Sequence, residues 1–419
     1  MKEKIIKRLR NLKKAHKELE YTPVSKRNAV LEGVAQAIES RASQTEILRA
    51  NSKDIRSLPQ GTSAAFIDRL ALNEDRLALM AESSRMVAKL DDPLGRSDIR
   101  QLKNGLVLKK VSAPLGLILM IFESRPNVAL EAFSLAFKAG NSVILRGGKE
   151  SMGTTKIFYK IITENLVKNG VSSDAVWGIT NPDRSLTSFL LKQKEYIDVV
   201  VPRGGSGLIN FVVKNSLMPI IKNDRGLCHV YVHEDADLDM AVRIVFNSKT
   251  QRPSACNSME TVLVNSKIAE KFLPTLYSMT SEKKVLWHGD KATLKILRGH
   301  RDVKAAVKTH WDTEYLDQIM NCRVVTDLEE ALKHIDAHGS RHSESIVTKS
   351  EAVAGQFQRE VDAAVVYWNA STRFTDGYEF GLGGELGIST QKLHVRGPVG
   401  LVELTSFRWI VDGTGQVRE

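Results

Sequence analysis

The chain has 419 residues, 42% hydrophobic and 26% charged, with a formal net charge of +11. That length can bury a large core and suits two domains. The basic residues are spread along the whole chain without interleaved aromatics, which argues against a nucleic-acid binder and leaves small anionic ligands or a solvated surface. Three cysteines, Cys228, Cys256 and Cys322, exclude a disulfide framework and favour a reducing, cytoplasmic location. No pair of them has CxxC spacing, so the reading includes no metal. No stretch approaches the roughly 20 apolar residues of a membrane span, so no membrane partner is expected.

The lysine-rich start carries Ile5, Ile6, Leu9 and Leu12 at helical spacing. Ser25 opens one long helical pattern that runs through Val30, Val34 and Ile38 to Leu48. Further helices are expected over 64–70 and 76–90, ending at Asp91-Asp92-Pro93-Leu94-Gly95. The first hundred residues therefore read as a helical packing layer.

The character then changes. Residues 105–111 alternate as an exposed strand. Leu117-Ile118-Leu119-Met120-Ile121-Phe122 is a continuous apolar run, the mark of a strand buried on both faces. Strands are also predicted over 142–145, 175–179 and 197–201, with helices between them. Strand, polar turn and helix in alternation specify a parallel sheet, whose ligands bind at the carboxyl ends of the strands. Four turns matter there: 123–127, 146–149, 178–182 and 203–207. The alternation resumes from Leu227, with strands over 228–232, 260–264, 304–307, 324–325, 345–347 and 363–367. The tail, 406–411, is one more strand.

Two turns suit phosphate. Arg146-Gly147-Gly148-Lys149 places flexible glycines and cations at a strand end, although a plain surface turn fits equally well. Arg203-Gly204-Gly205-Ser206-Gly207 offers N–H groups at a helix N-terminus, without the third glycine of a dinucleotide fingerprint. His334, His338 and His342 are four apart, but no partnering carboxylate motif accompanies them. Cys256 follows Arg252-Pro253-Ser254-Ala255 on a tight turn ahead of a strand. A cysteine there can present a thiolate that attacks an acyl carbon. A buried structural cysteine is the alternative.

Several motifs together resemble one family. They are Glu123-Ser124-Arg125-Pro126-Asn127, Asn141 to Glu150, Val201-Pro202-Arg203-Gly204-Gly205, Gln251-Arg252-Pro253 with Cys256-Asn257, Gly339-Ser340-Arg341-His342-Ser343-Glu344, Phe380-Gly381-Leu382-Gly383 and Ser389 to His394. In this order they resemble the gamma-glutamyl phosphate reductases of the aldehyde dehydrogenase superfamily. Ser254-Ala255 departs from the Gly-aliphatic pair more usual there.

The resemblance implies an α/β, aldehyde dehydrogenase-like fold. It has a Rossmann-like cofactor domain (1–227, with 368–419 returning to it), a second α/β catalytic domain (228–367) and a small strand extension for oligomerisation (105–111 and 406–411). It implies NADPH-dependent reduction of L-glutamyl 5-phosphate to L-glutamate 5-semialdehyde with release of phosphate, the second step of proline biosynthesis. Cys256 would form the thioester, beside Asn257, with the Cys256 N–H and Ser124 or Asn127 as oxyanion donors. Arg146, Gly147, Gly148, Lys149, Gly204, Gly205, Ser206 and Glu314 would bind NADPH or NADP. Arg125, Arg203 and Arg252 would bind the substrate, a small molecule. A homo-oligomer and a glutamate 5-kinase partner are further implications. Asn223 falls where hydrolytic relatives carry the glutamate of a Glu-Leu-Gly-Gly motif, and an amide is no general base. The rivals are another oxidoreductase of this fold with a different acyl phosphate or aldehyde, and a basic scaffold protein with a degenerate enzyme fold.

Overall fold

A computed structural model describes residues 2–222 and 225–418. The chain divides into two compact units, Met1–Lys222 with Gly381–Gly387 and Val399–Glu419, and Asn223–Phe380 with Ile388–Pro398. The returning segment is therefore shorter than expected. Most of 368–398 stays with the second unit, because Asn257 and Ser248 hydrogen-bond the loop after residue 370.

The first unit is built on a four-stranded parallel sheet ordered Val176–Gly178, Ser142–Arg146, Leu117–Phe122, Val199–Arg203. Alternation along the central strand sends Leu117, Leu119 and Ile121 into one core with Ile5, Leu9 and Leu12 of the helix Lys2–Glu20. Ile118, Met120 and Phe122 face the other way and are equally buried. That two-sided burial is why the strand reads as an unbroken apolar run. The long helical pattern after Ser25 is two helices, Val24–Glu39 and Arg41–Arg56. Ser40 is extended at ψ 135°, and its hydroxyl caps the second helix by accepting the Ser43 N–H.

Asn141 fastens this unit. Its Oδ1 accepts the Gly116 N–H at 2.9 Å and its Nδ2 donates to the Leu404 carbonyl at 2.9 Å. The small extension has three antiparallel strands, Ser97–Gln101, Val107–Pro114 and Thr405–Asp412. The two expected strands thus pair with each other, Val107 opposite Asp412 and Pro114 opposite Thr405. The strand 97–101 was not expected, since its five residues are all exposed and leave no burial pattern to read.

The second unit holds a seven-stranded parallel sheet. Its order is Val303–Ala305, Leu286–Gly289, Ile319–Val325, Met259–Asn265, Cys228–Val232, Ser343–Val347, Val365–Trp368. The strand Leu286–Gly289 and the helices Lys291–Ile296 and Glu351–Glu360 are additions to the sequence reading.

Asn141 generates the prediction for this fold. Asn141→Ala leaves a buried N–H and a buried carbonyl unpaired, each worth about 1–3 kcal/mol. Unfolding free energy from a urea titration should fall by about 2–5 kcal/mol.

Candidate active site

The turns singled out in the first unit follow the carboxyl ends of neighbouring strands and meet at one edge of the sheet. They are drawn tightly together. A Cβ on Gly148 would lie 2.1 Å from Ser124 Oγ, and one on Gly204 would lie 2.6 Å from the Glu123 carboxyl carbon. At 148 a Cβ would also lie 2.9 Å from the Ser124 backbone N, an approach only glycine permits, whereas at 204 the Glu123 side chain would have to move. Gly147 packs on the Phe122 ring, at 3.0 Å from where its Cβ would be. Gly205 caps the helix Ser206–Asn215, and its N–H donates to Glu123 Oε1 at 2.7 Å. Ser206 and Gly207 follow, exposed, at that helix N-terminus.

Three expected side chains here turn out to be occupied. The Ser124 hydroxyl donates to Glu150 Oε2. Arg146 donates to Thr187 Oγ1 at 3.1 Å and to the Pro182 carbonyl at 3.1 Å, tying two turns together, and burial lowers its pKa. Arg203 donates to the Leu386 carbonyl at 3.0 Å and so holds the returning segment. Lys149 and Asn127 are exposed, and Arg125 is half-buried at the start of the helix Pro126–Lys138.

In the second unit the helix Leu238–Thr250 ends at Gln251, and the chain turns through Cys256 into the strand Met259–Asn265. Two backbone bonds close the turn, Ala255 N–H to the Arg252 carbonyl at 3.1 Å and Ser258 N–H to the Ala255 carbonyl at 3.0 Å. Cys256 is half-buried, while Cys228 and Cys322 are buried. Gly226 presses on the Cys256 backbone, since a Cβ there would lie 1.5 Å from the Cys256 carbonyl oxygen. Cys228 Sγ donates to that same oxygen at 3.4 Å. Burial pushes the Cys228 thiol well up, and the nearby Glu344 and Cys256 add to this, so it stays protonated as a donor. Glu314 accepts the Gly226 N–H at 2.8 Å, which places it in the same cluster as Cys256, and burial raises its carboxyl.

Asn257 was expected to be catalytic, but its amide is buried. Nδ2 donates to the Thr375 carbonyl at 2.8 Å and the Arg373 carbonyl at 3.3 Å, and its own carbonyl accepts the Thr372 hydroxyl at 2.7 Å. It positions the turn against the loop 371–375. Beneath the turn lies a fully buried ion pair, Lys249 Nζ to Glu260 Oε2 at 2.8 Å. Burial pushes Glu260 up to about 7 and pulls Lys249 down. Glu260 Oε1 also accepts the Leu316 N–H at 3.3 Å.

The sequence reading missed Arg373. Its Nε donates to Gln251 Oε1 at 2.9 Å, at the head of the Cys256 turn. Burial lowers its pKa first and Arg252 lowers it further, while Asp376 and the Cys256 and Cys228 sulfurs oppose them. Arg373 therefore shares a charged neighbourhood with Arg252 and Cys256, and Arg252 itself is exposed. It follows the carboxyl end of the strand Val365–Trp368, so the strand-end rule applied to the second sheet would have found it.

Of the three spaced histidines, two stay in contact and the third stands apart. His334 accepts from Arg323 at 3.0 Å and contacts the His338 ring, whereas His342 sits against the Ser343 hydroxyl at 2.8 Å. Among the described residues no group of three His, Cys, Asp or Glu side chains could hold a metal. Asn223 lies outside the described residues.

Two outcomes follow from this packing. Gly226→Ala must displace the Cys256 backbone, and a displacement of about 1 Å costs on the order of 10²-fold in turnover. Steady-state assays should show that loss, and the melting temperature should fall with it, because the atoms displaced are backbone. Lys249→Met strands Glu260 without its cation and should lower unfolding free energy by about 3–5 kcal/mol in denaturant titration. Adding Glu260→Leu should recover most of it.

The aldehyde dehydrogenase family model matches residues 1–294. The gamma-glutamyl phosphate reductase of Halothermothrix orenii is 45% identical over 422 residues, covering 100% of both chains. That of Carboxydothermus hydrogenoformans is 46% identical, covering 99% of this chain and 100% of its own. The crystal structure of the Thermotoga maritima gamma-glutamyl phosphate reductase superposes with a TM-score of 0.95 at 40% identity over 99% of each chain. The chain belongs to the aldehyde dehydrogenase family, and within it to the gamma-glutamyl phosphate reductases.

Proposed function

We propose that this protein reduces L-glutamyl 5-phosphate to L-glutamate 5-semialdehyde with NADPH, releasing phosphate, in proline biosynthesis. The observation that carries the reading is Cys256, half-buried on a turn clamped by Gly226 and Asn257, in the charged neighbourhood of Arg373. Cations beside a sulfur favour its thiolate, the form that attacks. The thiolate adds to the acyl carbon, the phosphate leaves with its bonding electron pair, and a thioester remains. The hydride that reduces this thioester is supplied by the nicotinamide cofactor. Collapse to the aldehyde returns the Cys256 thiolate.

The oxyanion needs N–H donors. The Cys256 N–H is one. Of the two side chains considered, Asn127 is exposed, whereas the Ser124 hydroxyl is directed to Glu150. The first unit's sheet edge fits a phosphate-bearing dinucleotide. Lys149 is exposed there, and the helix Ser206–Asn215 offers Ser206 and Gly207 at its N-terminus. Lys149 is the residue assigned to the 2′-phosphate, and Glu314 to the nicotinamide ribose. Arg125 and Arg252 remain the substrate-binding arginines, with Arg203 doubling as a structural tie to Leu386.

The thioester exchanges with phosphate rather than water because the chain has Asn223 where hydrolytic relatives have glutamate. The labile acyl phosphate calls for direct supply by a glutamate 5-kinase, in the cytoplasm. The strand Thr405–Asp412 exposes Phe407, Trp409 and Val411 and is the face assigned to subunit contact.

The test runs the reaction backwards. With glutamate 5-semialdehyde, NADP and phosphate, NADPH absorbance should rise, fall to background without phosphate, and vanish in Cys256→Ala. NADP should outperform NAD, and Lys149→Ala should narrow that gap. Turnover that ignores phosphate would mean that water takes the acyl group, and the proposed reaction would be wrong.

A further inference from the structure

Cations crowd the Cys256 turn. Arg373 is laced to both ends of it, through Nε to Gln251 and through its carbonyl to the Asn257 amide. The Thr372 hydroxyl adds a third tie at 2.7 Å, to the Asn257 carbonyl. The Nε bond uses one of an arginine's five donors and fixes the plane of its guanidinium. Arg252 stands close enough to repel it, and Asp376 is the acid that offsets them. Arg373 is half-buried and Arg252 exposed, and one acid against two guanidiniums leaves an excess of positive charge that a further anion would balance.

The reaction specifies which anion. The phosphate oxygen is bonded to the same carbon that the sulfur attacks. The phosphorus therefore lies two bonds from the reacting carbon, whereas the substrate's own α-carboxylate lies four carbon–carbon bonds away along its chain. Cations gathered at the sulfur serve the nearer group. We propose that Arg373, with Arg252 beside it, seats the phosphate, both as it leaves the acyl carbon and as it returns to the thioester. This rests on the phosphate-exchange reading above. In the forward step the carbon–oxygen bond breaks as the carbon–sulfur bond forms, and the departing oxygen keeps the electron pair. In reverse, a phosphate oxygen attacks and the Cys256 thiolate leaves. Arg373 touches the phosphate in both directions, as leaving group and as nucleophile, and its guanidinium is already oriented by Gln251.

The experiment uses the full chain in the backward assay, with Michaelis constants measured separately for phosphate, semialdehyde and NADP. Arg373→Gln should raise the phosphate constant by about 30-fold or more, with the other two within about twofold. Arg373→Lys should recover part of the loss, and Arg252→Gln should show a smaller effect of the same kind. In the wild type, inorganic phosphate should slow alkylation of Cys256 by iodoacetamide, and Arg373→Lys should weaken that protection. The protection experiment needs no turnover and decides the matter if Arg373→Gln does not fold. A rise in the semialdehyde constant instead would assign Arg373 to the substrate's carboxylate and overturn the proposal. An unchanged phosphate constant with lowered turnover would leave it a structural tie, which also overturns it. Phosphate-independent turnover in the wild type would instead bring down the underlying reaction, an outcome distinct from both.

Discussion

Nothing larger than hydrogen fits between residue 226 and the carbonyl of Cys256. Much of the second unit's site follows from that contact. With Gly226 against the Cys256 carbonyl, its N–H is directed to Glu314, the Leu227 N–H to the Ser340 hydroxyl at 2.7 Å, and the Cys228 thiol to the Cys256 oxygen. The strand Cys228–Val232 therefore begins where the nucleophile turn is pinned, and its register beside Met259–Asn265 shifts between Cys228 and His229. On the other side Asn257 ties the turn to the loop 371–375. The cysteine is held by its backbone on both flanks, which fixes the position from which its side chain acts.

The Lys249–Glu260 pair is the unfavourable part of this arrangement. Burying two charges costs several kcal/mol before their attraction is counted. Both partners sit on elements that must be fixed for the turn to be fixed, the last turn of the helix Leu238–Thr250 and the second residue of the strand after Cys256. A directional bond there sets the spacing between helix and strand more sharply than apolar packing does. The first unit meets a similar need with backbone contacts. Glycines at 148 and 204 let its strand-end turns close on Ser124 and Glu123.

The parallel sheets were legible because their strands are buried on both faces and announce themselves as apolar runs. Cys256 was legible because proline and small residues ahead of a strand mark an exposed turn. What escaped is what depends on distant pairing. The strand Ser97–Gln101 is fully exposed and exists only because Val107–Gln101 pairing aligns it with its neighbour. Leu286–Gly289 is four residues ending in His-Gly, too short to show a period. Asn257 looks reactive next to a nucleophile, yet its partners lie 116 and 118 residues further on, and they bury it. Arg373 escaped for a different reason: it follows the strand Val365–Trp368, where the strand-end rule applied to the second sheet finds it. Arg146 and Ser124 were read correctly as strand-end residues, but their side-chain partners, Thr187 and Glu150, were beyond local pattern.

The acids near Cys256 bear on the proposed choice of phosphate over water as acceptor. By pKa alone, Glu260 at about 7 is suited to act as a general base. Geometry comes first, however. Glu260 is 1% exposed, and its two oxygens are directed to Lys249 and to the Leu316 N–H. The burial that raises its pKa also closes it to solvent. Glu314 is turned toward the Gly226 N–H. Neither carboxylate is arranged to take a proton from a water attacking a Cys256 thioester. Arg252, exposed, and Arg373, half-buried, bring positive charge to the turn, and they favour an acceptor that arrives already anionic and needs no base. Phosphate is such a nucleophile, and water is not.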